Sequence, residues 1–255
     1  MIADSWRLAV GTLTAVPVRP PTVVDRRRAG LAMVLAPVAT VPLGAAAAIT
    51  GYAGIRLDLP PPVVALLAVG VIVLGNRAFH VDGLADTVDG LASSYDRERA
   101  LTVMKTGTSG PAGVVALVLV IGLQAAALAS VLAGPHALRG AVLAGLGVCV
   151  SRAALVLCCA AGVPSARPGG LGDTYTQAVP RPVVALVWLA GAAVLALAAS
   201  AAGLDWWRGV VAVAAAALAV AVLVAHAVRR LGGVTGDVFG AAVELALAAL
   251  LVGLS

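Results

Sequence analysis

A chain of 255 residues in which 61% of positions are hydrophobic and only 11% charged is far more apolar than a soluble domain, where about a quarter of residues carry charge. Its net charge of +5 does not point to nucleic acid, because the arginines are scattered between apolar segments with no basic, aromatic-studded domain. What remains is an integral membrane protein whose basic residues record orientation.

A bilayer core about 30 Å thick takes roughly 20 apolar helical residues per crossing. Seven stretches qualify, at 29–55, 62–79, 111–133, 137–163, 182–202, 209–227 and 238–254. They are rich in Ala, Val, Leu and Gly and lack the period-two alternation of a membrane barrel, so helices are expected. Ahead of the first, residues 6–18 contain Arg7 and prolines and run into a basic cluster, which suits an interfacial segment better than a secretory signal. Cys149, Cys158 and Cys159 fall in the fourth stretch and act there as small apolar residues, with no disulfide framework. The expected fold is an all-α, polytopic membrane bundle of about seven transmembrane helices, with residues 1–255 forming one domain.

If the spans alternate, thirteen Lys and Arg residues fall on one side and three on the other, and the positive-inside rule makes the first side cytoplasmic. The same side collects the polar, glycine-rich segments 76–113, 165–182 and 226–240. The expected location is therefore the cytoplasmic membrane, with the site facing the cytoplasm.

The first of these segments reads His80-Val81-Asp82-Gly83-Leu84-Ala85-Asp86-Thr87-Val88-Asp89-Gly90. As a helix it sets Asp82, Asp86 and Asp89 on one face, opposite Leu84, Val88 and Leu91. Like charges at that spacing repel by about 0.2–0.5 kcal/mol per pair. A divalent cation over the stripe would remove the repulsion; a solvated helix face is the other reading. Gly83 and Gly90 leave room beside the carboxylates for a ligand or for a close backbone. His80 is either a ligand or base, or a structural hydrogen-bonding partner.

Residues 95–105 follow as an amphipathic stretch ending in Lys105, and Thr106-Gly107-Thr108-Ser109-Gly110 opens the third span with a run able to present backbone N–H groups to phosphate. The middle segment carries Arg167 beside Gly169, Gly170 and Gly172, and arginine suits bidentate phosphate contacts. In the last, Thr235-Gly236-Asp237 opens the seventh span, and Glu244 lies seven residues on along the same face. Asp237 is either a second half-site facing the first acids or a helix N-cap. Glu244, buried in a span, is either functional or the ion-pair partner of intramembrane Arg152.

Clustered carboxylates, cations and glycine-rich loops at one membrane surface suit magnesium-assisted transfer of a phosphate group. An acid not engaged with metal could take the proton of the attacking hydroxyl.

The run 80–90 resembles the signature of the adenosylcobinamide-GDP ribazoletransferase (cobalamin synthase) family. Further matches occur in order: Leu13-Thr14-Ala15-Val16-Pro17, Arg99-Ala100-Leu101-Thr102-Val103-Met104-Lys105, Ser151-Arg152, Gly169-Gly170-Leu171-Gly172, and Gly233 to Ala241 with Glu244. One departure is that Thr106-Gly107-Thr108 stands where many relatives have an acidic residue followed by Ser-Arg.

The resemblance implies a Mg2+-dependent enzyme of the cytoplasmic membrane. The ribose hydroxyl of α-ribazole, or of its 5′-phosphate, attacks adenosylcobinamide-GDP, giving adenosylcobalamin or its 5′-phosphate and GMP. It assigns metal and catalytic roles to Asp82, Asp86, Asp89 and Asp237, the last as ligand or general base. Lys105, Arg152 and Arg167 become diphosphate contacts, and His80, Gly169, Gly170, Thr235 and Glu244 complete the substrate-binding set. Beyond the two substrates and the lipid bilayer, self-association into a homo-oligomer stays open. Two other readings compete. One is a CDP-alcohol phosphatidyltransferase, whose Asp-Gly-x-x-Ala-Arg pattern is half present in Asp82-Gly83-Leu84-Ala85. The other is a transporter using the acids as an ion pathway.

Overall fold

The computed structural model of the chain describes residues 1–170 and 172–255, and each regular element among them is a helix. An amphipathic α1 (Ile2–Leu13) turns Ala9, Val10 and Leu13 inward. Asp4 on that face accepts the Thr22 backbone N–H at 3.0 Å and tethers the segment leading to α2. The first crossing consists of α2 (Arg26–Ala39) and α3 (Val41–Arg56), jointed at Thr40 between Pro37 and Pro42. Asp25 caps it by accepting the Arg28 N–H at 2.8 Å.

The next helix, α4 (Pro61–Gly75), is stopped rather than continued. Ala78 N–H donates to the Val73 carbonyl at 2.7 Å and Arg77 N–H to Leu74 at 3.0 Å, the paired bonds of a Schellman end. Arg77 and Ala78 both take left-handed backbone, with φ of 60° and 59°, so the chain pivots and α5 (Phe79–Ser93) leaves at 89° to α4. The stretch expected as one helix over 62–79 thus ends at Gly75. The aspartates ride on α5, turned out of the α4 axis.

A short α6 (Arg97–Val103), capped by Asp96, precedes α7 (Pro111–Leu132). The fourth stretch is α8 (Ala137–Ser151) and α9 (Ala153–Cys158), broken at Arg152. Then come α10 (Arg181–Ala201), α11 (Trp206–Leu231) and α12 (Gly236–Leu254). Six segments are long and apolar enough to cross a membrane, or seven when the bent α4–α5 pair is included. All three cysteines are free and buried.

Burial sorts these helices into a centre and a rim. α12 is buried along most of its length and packs against α5, α7, α8, α9 and α11. By contrast α7, α10 and α11 expose Val118, Leu119, Leu186, Leu197, Leu218 and Val222. An apolar belt of that extent belongs against lipid. Where α3 meets α8, a Cβ on Gly145 would stand 2.5 Å from the Gly44 carbonyl oxygen, the close approach that small residues allow between membrane helices.

Side-chain ties show which loops share an end. Arg97 donates to the carbonyls of Leu231 at 2.7 Å and Ala166 at 2.8 Å. Arg230 reaches the Ser94 carbonyl at 2.8 Å and lies over the Tyr95 ring. Isolated bridges join Ala160 to Val179 and Ser165 to Val234. The segments after α5, α9 and α11 therefore converge at one end of the bundle. At the other, Arg139 meets the Ala201 carbonyl and Arg208 that of Ser255.

Candidate active site

The three aspartates of α5 meet three different environments. Asp82 is exposed, Asp86 is half-buried, and Asp89 is buried. Asp89 Oδ2 accepts the backbone N–H of Gly110 at 2.6 Å and Oδ1 that of Gly113 at 2.8 Å. The start of α7, expected to offer its N–H groups to phosphate, is thus already served by a carboxylate of the protein itself.

Asp82 and Asp86 face the first turn of α12. There Thr235, not Asp237, is the N-cap: its hydroxyl oxygen accepts the Val238 N–H at 3.4 Å and donates to Asp237 Oδ2 at 3.1 Å. That leaves the Asp237 carboxylate available. The helices come this close because of Gly83, where a Cβ would stand 2.7 Å from the Asp237 carbonyl oxygen, and Gly240, where one would stand 2.9 Å from that of His80. Both glycines are explained by backbone approach.

Opposite the acids stands Arg167, whose guanidinium donates to the Leu101 carbonyl and lies 3.9 Å from Asp237 Oδ2. Lys105, Arg167, Gly169, Gly170, Thr235 and Asp237 line one open cleft of about 420 Å3, with Phe79, Gly172 and Gly236. The amides of Gly169 and Gly170 are spent inside their loop, on Asp173 Oδ2 and the Arg167 carbonyl, both at 3.0 Å. Leu171 of the same motif lies outside the described residues. Asp86, on α5 outside the six crossing segments, has its carboxyl pushed up to about 6, by burial first and then by the charges of Asp82, Asp237 and Asp89. Negative potential accumulates here faster than Arg167 offsets it.

Among the described residues no three His, Cys, Asp or Glu side chains converge closely enough to form a metal cage. Magnesium asks for less: it is commonly held by one or two carboxylates, with waters and substrate phosphates completing an octahedron. The hard oxygen donors of Asp82 and Asp86, beside Asp237, fit that pattern.

The remaining candidates are elsewhere. Arg152, expected at the diphosphate, is fully enclosed at the α8–α9 break and donates to the Val148 carbonyl and Ser151 Oγ, both at 2.8 Å. Glu244 is also enclosed. Its Oε2 accepts from Gln124 Nε2 at 2.8 Å, and among the described residues it forms no direct ion pair with Arg152. His80 Nδ1 lies 4.0 Å from Glu244 Oε1 and 3.3 Å from Asn76 Nδ2. These side chains form a buried polar group behind the cleft, joining α4, α5, α7 and α12. Gln124 and Asn76 were missed in the sequence, although a lone glutamine within the apolar run 111–132 is itself a signal.

Residues 5–255 match the family described as Cobalamin-5-phosphate synthase. The chain belongs to that family. A cobalamin-5-phosphate synthase relative from Nocardioides sp., named adenosylcobinamide-GDP ribazoletransferase, is 53% identical over 98% of this chain and 97% of its own. Relatives with the same name from Frankia casuarinae and Pseudomonas aeruginosa are 36% and 37% identical, covering 96% and 98% of this chain and 92% and 97% of theirs. No solved structure matches. Membership in the cobalamin-5-phosphate synthase family makes the chain a transferase of cobalamin synthesis, and its cleft is where that chemistry has to be sought.

Proposed function

We propose that the chain joins adenosylcobinamide-GDP to α-ribazole, or to its 5′-phosphate, in a magnesium-dependent reaction at the cytoplasmic end of the bundle. The observation that carries this reading is the cleft itself. It sets Asp237 against Arg167 and Lys105, with Asp86 of α5 close enough for its charge to feel both Asp237 and Arg167, as a diphosphate and a metal ion require. The names of the relatives supply the substrates.

Asp82 and Asp86 would hold the metal, which when bound supplies neutralisation of phosphate oxygens and of the charge developing at phosphorus. Arg167 and Lys105 bind the diphosphate from the opposite wall, Arg167 exchanging its 3.9 Å contact with Asp237 for phosphate oxygens. Asp237, held by the Thr235 hydroxyl, takes the proton of the attacking ribose hydroxyl. The new bond joins that oxygen to the phosphorus next to cobinamide, and the bond to the GMP oxygen breaks, GMP leaving with the electron pair. Asp89 positions α7 and through it one edge of the cleft.

The bent α4–α5 pair is a device that transporters also use. Here, however, Asp82, Asp86 and Asp237 gather where α5 meets the first turn of α12, at one end of the bundle and not midway along a span, which favours the transferase. Incubating the purified protein with adenosylcobinamide-GDP, α-ribazole and magnesium should release GMP in step with cobalamin formation. Absence of GMP would sink the reading.

A further inference from the structure

On α1 the residues Ile2, Trp6, Ala9, Val10 and Leu13 fall on one helical stripe. Only its C-terminal half is covered by the protein. Ala9, Val10 and Leu13 are buried, whereas Ile2 and Trp6 are 68% and 40% exposed. Val16, Val23 and Val24, in the segment that leads to α2, are exposed as well.

Charge in the same segment is unbalanced. Residues 1–28 hold five arginines and two acids, and both acids are engaged internally. Asp4 accepts from Thr22 and stands 3.5 Å from Arg28 Nε and 3.8 Å from Arg7 Nη1; Asp25 pairs with Arg28. Arg19, Arg26 and Arg27 are exposed and form no ion pair among the described residues. Because α2 starts the first crossing at Arg26, this arm lies at headgroup level, where a basic, tryptophan-bearing apolar stripe meets its complement. A second copy of the chain would instead bring the same arginines face to face.

The arm is also tied to the joint that aims the acidic helix. Arg77 Nη2 donates to the Gly11 carbonyl at 2.7 Å, and Ala15 N–H to the Gly75 carbonyl at 2.6 Å. Gly75 ends α4, and Arg77 is the first left-handed residue of the pivot into α5. Thr12 and Leu13 wall an apolar cavity of about 180 Å3 that shares Phe79, Gly172 and Gly236 with the acidic cleft.

We infer that α1 and residues 14–28 form a docking surface for anionic phospholipid headgroups, and that this docking holds the α4–α5 joint in place. Ile2 and Trp6 sit at the acyl boundary, and Arg19, Arg26 and Arg27 meet the phosphates. The docking stands without the transferase reading; its bearing on catalysis rests on that reading.

The test is hydrogen exchange on the full-length protein in nanodiscs, one set of pure phosphatidylcholine and one of equal parts phosphatidylcholine and phosphatidylglycerol. An arginine near an anionic surface is worth roughly fivefold, so α1 amides should exchange at least roughly tenfold more slowly in the anionic discs. The amides of Arg77 and Ala78 should slow with them, while those of α12 stay equal in both. In about 1 M salt, where the screening length falls to about 3 Å, the difference should vanish. Combined Arg19→Gln, Arg26→Gln and Arg27→Gln should remove it at low salt. Equal α1 exchange of the wild type in the two lipids, a measurement that needs no variant, would overturn the docking, as would a difference that persists in the triple variant. Slowing of α1 without Arg77 and Ala78 would overturn the link to the joint. GMP release is followed in the same discs: lipid-dependent exchange without turnover would sink the transferase and leave the docking, and turnover with lipid-independent exchange would do the reverse.

Discussion

Asp89 Oδ1 accepts the backbone N–H of Gly113 at 2.8 Å. With its other oxygen on Gly110, the carboxylate closes the N-terminus of α7 from a neighbouring helix, as a capping side chain does from its own. The helix dipole and two charge-assisted hydrogen bonds are served at once. Asp89→Asn should therefore lower stability by about 1.5–3 kcal/mol, read as a fall in thermal unfolding midpoint in detergent. An unchanged midpoint would show that these bonds contribute nothing.

Asp82 and Asp86 predict the opposite pattern. Asp82 is exposed and Asp86 half-buried, and neither makes a side-chain hydrogen bond among the described residues. Asp82→Asn or Asp86→Asn should abolish transfer while leaving the unfolding midpoint within about 1 °C or raising it, since a like-charge repulsion is relieved. Normal turnover in either variant would refute the metal assignment.

The Asp86 carboxyl, raised to about 6 by burial and by Asp82, Asp237 and Asp89, gives a pH dependence with a definite sign. A cation needs the ionised form, so Mg2+ or Mn2+ affinity should rise as pH increases through about 6 and level off above it, measured by calorimetry. In metal-free protein the folded form holds this proton more tightly than the unfolded chain, whose ordinary value is 3.8. This group thus adds stability as pH falls from about 6 towards 3.8 and withdraws it on the way back up. Metal affinity flat between pH 5 and 7 would contradict the assignment.

At Gly83 an added Cβ would stand 2.7 Å from the Asp237 carbonyl oxygen. Backbone cannot give way as a flexible side chain does, so Gly83→Ala must separate α5 from α12 and carry Asp82 and Asp86 away from Asp237. Overpacking of this kind costs about 1–3 kcal/mol, and misplacement by about 1 Å can cost a hundredfold in rate. The kcat should fall at least tenfold in a protein that still inserts into membranes. Gly70→Ala, where the added atom meets nothing within 4 Å, should leave both rate and stability close to wild type.

Orientation can be read by labelling. Thr108 sits at the polar end and Ala133 at the other, both exposed, while the three native cysteines are buried. A membrane-impermeant maleimide should label Thr108→Cys in inverted vesicles only and Ala133→Cys in right-side-out vesicles only. The reverse result would place the cleft outside the cell.

Much of this was legible in the residues. Long apolar runs specify membrane helices because unsatisfied backbone groups are not tolerated in lipid, and the expected starts at 111, 182 and 238 fall within two residues of the helix starts at Pro111, Arg181 and Gly236. The i, i+4, i+7 aspartates specified an acidic helix face, and the distribution of arginines specified which loops would meet.

Periodicity could not separate the three aspartates, because the same spacing describes a solvated Asp82, a half-buried Asp86 and a capping Asp89 alike. That division arises where α7 and α12 end against α5. Nor could sequence show that the stretch 62–79 breaks at Arg77 and Ala78, since nothing in an Arg-Ala pair asks for left-handed backbone. Arg152 and Glu244 stand among apolar residues in the chain, and only packing encloses both while leaving Glu244 to Gln124. The Nε2 of His80, without a partner among the described residues, belongs to the same class of fact: a partner is a property of neighbours distant in sequence. Composition and spacing therefore determined a membrane helix bundle with an acidic helix face, the motifs its family shares pointed to a transferase, and tertiary contact decided which of its polar groups stand open and which hold the bundle together.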